Sequence, residues 1–243
     1  MLKINCDMGE SFGAWTMGDD SHVMPHIDMA NIACGFHASD PLTMAKTVEL
    51  ALASGVAIGA HPSYPDLMGF GRREMSIAPA ELKQLVIYQI GALNGICRAL
   101  GAEVSYVKPH GALYNKMVVD EATFRAVLEA VSQYDAGLSL VVMAVPESEN
   151  LTRLAREYGV NLLFEVFTDR AYDENGRLAS RSIPGAVFHT DIEIERQARA
   201  IIERSAVITL EGAEIPVSAD TICIHGDGPR AVQTAQLLRS LIG

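Results

Sequence analysis

Six short blocks of this chain concentrate the residues that can move protons or hold charge. "DMGE" carries Asp7 and Glu10, two carboxylates that can hold a metal or divide acid and base roles once their environments differ. "GFHASD" carries His37 and Asp40, and "HPSYPDLMGFGRR" carries His61, Asp66, Arg72 and Arg73. "KPHGALYN" sets Lys108 beside His110, Tyr114 and Asn115. "EVFTDRAY" holds Glu165, Asp169 and Arg170, and "HGDGP" holds His225 and Asp227. Imidazoles titrate near neutral pH, which makes the histidines acid–base candidates. Burying a lone ammonium is costly, so Lys108 is expected to do electrostatic or acid–base work. The backbone N–H groups and two guanidiniums of "GFGRR" suit a phosphate or a carboxylate.

These blocks share one position, immediately after a short apolar run. Strands are predicted over Leu2–Cys6, Met29–Cys34, Val56–Ala60, Val104–Lys108, Leu138–Met143, Asn161–Phe167 and Thr221–His225. They read as apolar on both faces, as parallel strands covered by helices must be. Only the fifth strand end, "AVPES", lacks chemistry-bearing residues. Helices are predicted between them, over Pro41–Ser54, Pro79–Leu100, Glu121–Tyr134, Glu147–Tyr158, Ile192–Arg204 and Pro229–Leu241. Asp40 and Pro41 form a helix start, and Gly101 and Gly159 follow helix ends.

This alternation predicts an α/β chain of about seven parallel βα units. An unbroken series favours a closed or nearly closed (β/α) barrel, with an open doubly wound sheet as the alternative. Val207–Val217 alternates around Glu211-Gly212 and reads as a small hairpin. With no linker composition anywhere, residues 1–243 are expected to form a single domain. In such folds the site lies beyond the C-terminal strand ends. Four of the seven histidines converge there, which structural roles alone do not explain. Some assignments stay open. Asp7 can cap a turn, and Asp40 and Asp227 can cap helices. The two arginines can be solvated. Asp169 and Arg170 can form a local ion pair, or Arg170 can face a ligand.

The net charge of −11 argues against general nucleic-acid binding, which rests on clustered Lys and Arg. No apolar run reaches the roughly 20 residues of a membrane span. "MLKINCDMGE" lacks the pattern of a signal peptide, so a cytoplasmic location is expected. Cys6, Cys34, Cys97 and Cys223 form no C-x-x-C pair and are expected to be free, buried thiols. The G-x-x-x-x-G-K-[ST], G-x-G-x-x-G, H-E-x-x-H and G-x-S-x-G patterns are all missing. A conventional ATP loop, a serine triad and zincin chemistry therefore lose support.

Asn5–Gly13, Ala30–Pro41, Ile58–Arg73, Val107–Asn115, Glu165–Tyr172 and Thr221–Pro229 together resemble the signature blocks of the LamB/YcsF family of 5-oxoprolinase A subunits. The blocks run in order over nearly the whole chain. Thr168 stands where a smaller residue such as Ala is expected. The resemblance implies a (β/α) barrel related to glycoside hydrolases and polysaccharide deacetylases. It implies ATP-dependent opening of the 5-oxo-L-proline (pyroglutamate) lactam to L-glutamate, with ADP and phosphate released, in company with subunits B and C. ATP is then a co-substrate handled with help from those partners, and a homo-oligomer is compatible. Under this reading His61 and His110 are acid–base residues, Asp7 orients one of them or the water, and Lys108 and Arg72 stabilise negative charge. Asn5, Glu10, His37, Arg72, Asn115, Glu165, Asp169, Arg170, His225 and Asp227 are the expected substrate-binding set. Two rivals follow. Deacetylase barrels hold a divalent metal with an Asp and two His, so Asp7, His37 and His61 would make an ATP-independent amidohydrolase. Alternatively, the chain only presents the lactam to catalytic partners.

Overall fold

The computed structural model describes residues 2–228 and 230–243. Six parallel strands come first along the chain: β1 (Lys3–Met8), β2 (Met29–Ala33), β3 (Ala57–His61), β4 (Tyr106–Val107), β5 (Ser139–Met143) and β6 (Asn161–Phe167). β7 (Ala206–Ile208) and β8 (Glu214–Pro216) then form the separate antiparallel hairpin expected near Gly212. The last strand, β9 (Thr221–Ile224), pairs in parallel with β6 on one side and with β1 on the other, closing a seven-stranded barrel. The open-sheet alternative is thus excluded.

Eight α-helices are described: α1 (Asp20–Val23), α2 (Pro41–Ser54), α3 (Pro79–Ala99), α4 (Gly111–Val119), α5 (Glu121–Tyr134), α6 (Ser148–Glu157), α7 (Asp191–Arg204) and α8 (Ala231–Ile242). The sequence pattern does not predict α1 or α4. α4 is only nine residues long and starts directly after His110, inside a block that reads as a strand-end loop. The predicted start of the last helix, Pro229, lies outside the described residues. Asp40 caps α2, with Oδ1 accepting from the N–H groups of Leu42 and Thr43. Among the described residues no helix is long and apolar enough to cross a membrane.

The barrel strands differ from expectation in extent, β4 being only Tyr106–Val107, and in that their inward faces are only partly apolar. Ile4, Cys6, Met8, Ala30, Ile32, Val107, Val142, Val166 and Ile222 pack outward into the main core. Strand pleating sends alternate residues inward, and the register places these neighbours side by side. Asn5 stands beside Met29 and Cys223, Asp7 beside Asn31, Asn31 beside Gly59, and Glu165 beside Thr221. A small apolar plug of Met29, Tyr106 and Val141, with Leu163 against it, fills part of the interior. Gly59 makes room for this arrangement, because a Cβ there would sit 2.1 Å from the Tyr106 ring.

Candidate functional site

Lys108 lies at the centre of the polar layer and is 2% exposed. Its ammonium donates to Asp7 Oδ1 (3.0 Å), Asn5 Oδ1 (3.1 Å) and Cys223 Sγ (3.0 Å), and pairs with Glu165 Oε1 at 2.9 Å. Burial works against this charge, but Asp7, Cys223 and Glu165 outweigh it and hold the ammonium well above the ordinary lysine range. The surrounding atoms are matched in turn. Asn5 Nδ2 donates to Glu165 Oε1 and Thr221 Oγ1, and Tyr114 donates its hydroxyl to Glu165 Oε2 at 2.7 Å. Asn31 Nδ2 donates to Asn5 and to Asp7, while Tyr106 donates to Asn31 Oδ1. Burial raises the Asp7 carboxyl, but Lys108 and then His61 overcome it, leaving Asp7 well below the usual carboxylate range. The layer is therefore a closed hydrogen-bond network around one ammonium.

Directly against it sits a second cluster of opposite character. His61 Nε2 is 3.4 Å from Asp7 Oδ1 and 3.0 Å from His110 Nδ1. Glu10 Oε1 lies 3.4 Å from His37 Nε2 and 3.8 Å from His110 Nδ1. His37 stacks on His110 with ring centroids 3.8 Å apart, and His61 meets both rings edge-on. Among the described residues, Glu10 Oε1 and both His37 nitrogens are buried without a hydrogen-bond partner. Burial, then the Asp7 and Asp227 charges, push the Glu10 carboxyl well up. Burial, reinforced by the neighbouring imidazoles, holds His37 and His110 well below the ordinary histidine range. The loop after β3 packs over this cluster. Gly71 has φ +64°, and a Cβ there would lie 2.9 Å from both His37 and His110. Phe70 also has positive φ (55°), and its carbonyl oxygen accepts from His110 Nε2 at 2.8 Å.

A cavity of about 510 Å³ opens beside the two clusters at the C-terminal mouth of the barrel. Asp7, His61, Arg72, Lys108, His110, Asn115, Arg170, Arg181 and His225 are among its lining residues. Its cationic wall contrasts with the acidic chain as a whole. A larger cavity, about 700 Å³, lies between α6 and the β7–β8 hairpin, and Glu149 and Arg156 are the ionisable residues lining it.

A model of the LamB/YcsF family matches residues 2–243. The chain belongs to the LamB/YcsF family. The 5-oxoprolinase A subunit of Pseudomonas fluorescens (strain Pf0-1) is 54% identical over 241 residues, covering 99% of this chain and 96% of the relative. The 5-oxoprolinase A subunit of Vibrio cholerae (strain O395) is 50% identical, with 99% of this chain and 97% of the relative covered. The solved lactam utilization protein of Thermus thermophilus superposes with a TM-score of 0.91 at 44% identity, covering 99% of this chain and 95% of that one.

The remaining sequence-predicted residues of this LamB/YcsF chain fall into distinct places. Arg72 pairs with Asp227 at 2.7 Å and lies over the Phe70 ring. His225 Nδ1 meets Asp169 Oδ2 at 2.6 Å, so Asp169 engages His225 in preference to Arg170. Arg170 instead donates to the carbonyl oxygens of Ala179 and Ala186 and braces the loop after β6. Asp66 accepts from Gly69 N–H and pairs with Arg73, which shapes the β3 loop. Asn5 and Glu165 have no exposed surface and touch only the layer around Lys108. The metal set Asp7, His37 and His61 also needs revision. Asp7 Oδ1 is already occupied by Lys108 and Asn31, whereas Glu10 Oε1 has no partner among the described residues and faces the imidazoles.

Sequence reasoning missed Asn31, Tyr106, Thr221 and Arg181. Asn31 left a signal, a polar side chain in the middle of "MANIAC". Tyr106 and Thr221 are ordinary strand residues, and Arg181 lies in a loop with no local pattern. Cys223 is a buried thiol, as its strand position implies, but it also accepts from Lys108.

Proposed function

We infer that this chain is the lactam-opening component of an ATP-dependent 5-oxoprolinase that acts with subunits B and C. The cation-lined cavity beside the His61–His110 pair carries this reading. 5-Oxoproline bears a carboxylate, and ATP-dependent phosphorylation of its amide oxygen adds a second anionic group. Both suit a pocket lined by Arg72, Lys108 and Arg181. A five-membered lactam is a stable amide, and phosphorylation activates its carbon toward water. In this reading His61 and His110 take the proton of the attacking water, and Asp7 orients His61. Addition of water to the ring carbon is followed by cleavage of the C–N bond, and the departing nitrogen receives a proton. A second water releases phosphate and leaves glutamate. Lys108 and Arg72 stabilise the negative charge that develops. The relatives named as 5-oxoprolinase A subunits support the substrate, and their standing as subunits supports the existence of partners.

The test is glutamate release from 5-oxoproline by the purified chain, with and without ATP and with and without subunits B and C. Release only when ATP and both partners are present is the expected result. His61→Ala or His110→Ala should then abolish ring opening while leaving the far-UV circular dichroism unchanged. Full activity in both variants overturns their assigned roles. Release by the chain alone without ATP would replace this reading with that of a metal-dependent amidohydrolase, which the unpartnered Glu10 and His37 atoms also favour.

A further inference from the structure

The hydrogen bonds around His61 and His110 fix which ring nitrogens carry protons. His61 Nδ1 is 2.6 Å from the Lys108 carbonyl oxygen, and His110 Nε2 is 2.8 Å from that of Phe70. A carbonyl oxygen only accepts, so both of these nitrogens must donate. In a neutral ring the opposite nitrogen is then a bare lone pair. Those two atoms, His61 Nε2 and His110 Nδ1, face each other at 3.0 Å. Two acceptors at that distance repel unless something positive lies between or beside them. Glu10 Oε1, without a hydrogen-bond partner among the described residues, lies 3.8 Å from His110 Nδ1. Buried polar atoms left without partners are rare and call for an explanation.

The geometry points to a divalent transition-metal site formed by Glu10, His61 and His110, with His37 as an adjacent fourth nitrogen. Donors about 2.0–2.1 Å from a tetrahedral zinc ion stand roughly 3.3–3.4 Å from one another. Within the set, His61 Nε2 and His110 Nδ1 are 3.0 Å apart and Glu10 Oε1 is 3.8 Å from His110 Nδ1, on either side of that value. His37 Nε2 adds a 3.4 Å approach to Glu10 Oε1, and one donor atom from each of the four residues lies within 4.8 Å of the others. The outer contacts fit as well, since metal-binding imidazoles characteristically donate their second N–H to a backbone carbonyl or carboxylate. His61 and His110 both do so. His37 is placed differently. It stacks parallel to His110, at an interplanar angle of 3°, so an ion in the plane of His110 lies out of the plane of His37. Three ligands and an open position are the arrangement of catalytic zinc sites, where a bound cation lowers the pKa of water to about 7. Imidazole nitrogens with one carboxylate select a zinc-like ion over Mg²⁺.

The site rests on side-chain geometry and not on the substrate assigned above, and a chain holding the ion would use His61 Nε2 and His110 Nδ1 as ligands in place of the proton-accepting role they have in the metal-free reading. A chain that binds zinc yet releases no glutamate under any condition would remove that function and leave this site standing. The experiment is calorimetric titration of the untagged, chelator-stripped chain with Zn²⁺ and separately with Mg²⁺, with bound metal quantified by elemental analysis. The expected result is one Zn²⁺ per chain and no competition from Mg²⁺. His61→Ala and His110→Ala should each weaken Zn²⁺ binding by at least about 100-fold, the upper end of what loss of a mere supporting contact costs. His37→Ala should weaken it less, and Cys223→Ser, in the neighbouring Asp7–Cys223–His225 group, should leave it unchanged. Should the alanine variants fail to fold, the visible spectrum of the Co²⁺-loaded parent chain reports nitrogen and oxygen ligation directly. Absence of Zn²⁺ binding, or binding that survives both His61→Ala and His110→Ala, overturns the site and leaves a proton shared between the two imidazoles.

Discussion

Two buried polar clusters touch at Asp7, and they are built on opposite principles. Around Lys108, the ammonium and carboxylates meet complementary neighbours: Asp7, Asn5, Glu165 and Cys223 surround the ammonium, and Asn31, Thr221 and Tyr114 complete the shell. Around His61, the bare nitrogens of His61 and His110 face each other, and Glu10 Oε1 and both nitrogens of His37 have no partner among the described residues. Burial is nearly equal, since Lys108 is 2% exposed and His37 and His61 are each 1% exposed. The difference therefore lies in satisfaction and not in depth. The first cluster can persist as it stands, whereas the second is complete only when something positive or proton-donating enters it. A fold that keeps such a cluster beside an open cavity has set stability aside locally for chemistry.

The strongest way to break this contrast is Lys108→Met. The side chain is close to isosteric, but it leaves Asp7 and Glu165 as buried carboxylates with no cation between them. Removing one partner of a buried ion network typically costs about 3–5 kcal/mol. We expect a loss of that order in denaturant unfolding. A loss below about 1 kcal/mol would match an exposed pair and would refute the closed network around Lys108.

A paired comparison sharpens it further. Glu165→Gln and Glu10→Gln each replace one buried carboxyl, one in each cluster. Glu165 accepts from Asn5, Lys108 and Tyr114, so an amide there turns an N–H toward a donor and weakens Lys108 pairing. Glu165→Gln should destabilise the chain by about 1–3 kcal/mol. Glu10 Oε1 has no hydrogen-bond partner among the described residues, and Asp7 and Asp227 disfavour its charge. In metal-free protein, Glu10→Gln should be neutral or stabilising by about 1 kcal/mol, because it removes a carboxyl whose ionised form is disfavoured by burial and by Asp7. Equal destabilisation by both substitutions, measured side by side by urea unfolding, would erase the distinction between the clusters.

The barrel was legible because its outward strand faces and its helices follow simple periods. Asn161–Phe167, Pro41–Ser54 and Glu121–Tyr134 agree residue for residue with the sequence reading. Convergence of His61, His110, Lys108, Arg72 and His225 on one mouth was also legible, since each follows a strand. What escaped were facts of closure. Asn5 pairs with Glu165 across 160 positions, and no local pattern links Tyr106 to Asn31. The inward faces read as apolar because single polar residues are diluted among Ile, Val and Ala. The split between satisfied and unsatisfied clusters likewise depends on hydrogen-bond directions, which sequence does not encode locally. Asp40 is instructive because it lies only three residues beyond His37 and could have belonged to either kind.

The structure gives Asp40 to the helix. Oδ1 accepts from Leu42 N–H and Thr43 N–H, and Oδ2 accepts from Gly13 N–H and the Thr43 hydroxyl. These bonds, led by those from Gly13 and Thr43, hold its carboxyl down at about 2. A depressed carboxylate stabilises the fold at pH values above its unfolded pKa of about 3.9, and the contribution fades as pH falls through about 2. Because water reaches this residue, the capping bonds set the size of the effect, about 1 kcal/mol. Asp40→Ala should therefore lose about 1 kcal/mol at pH 7, and the gap to the parent chain should narrow in acid. Asp40→Asn keeps an acceptor for Leu42 and Thr43, so it should recover most of the stability but none of that pH dependence. Both variants should bind Zn²⁺ as the parent does. Weakened Zn²⁺ binding in Asp40→Asn would place Asp40 with the unsatisfied cluster and redraw the boundary between the two kinds of polar residue.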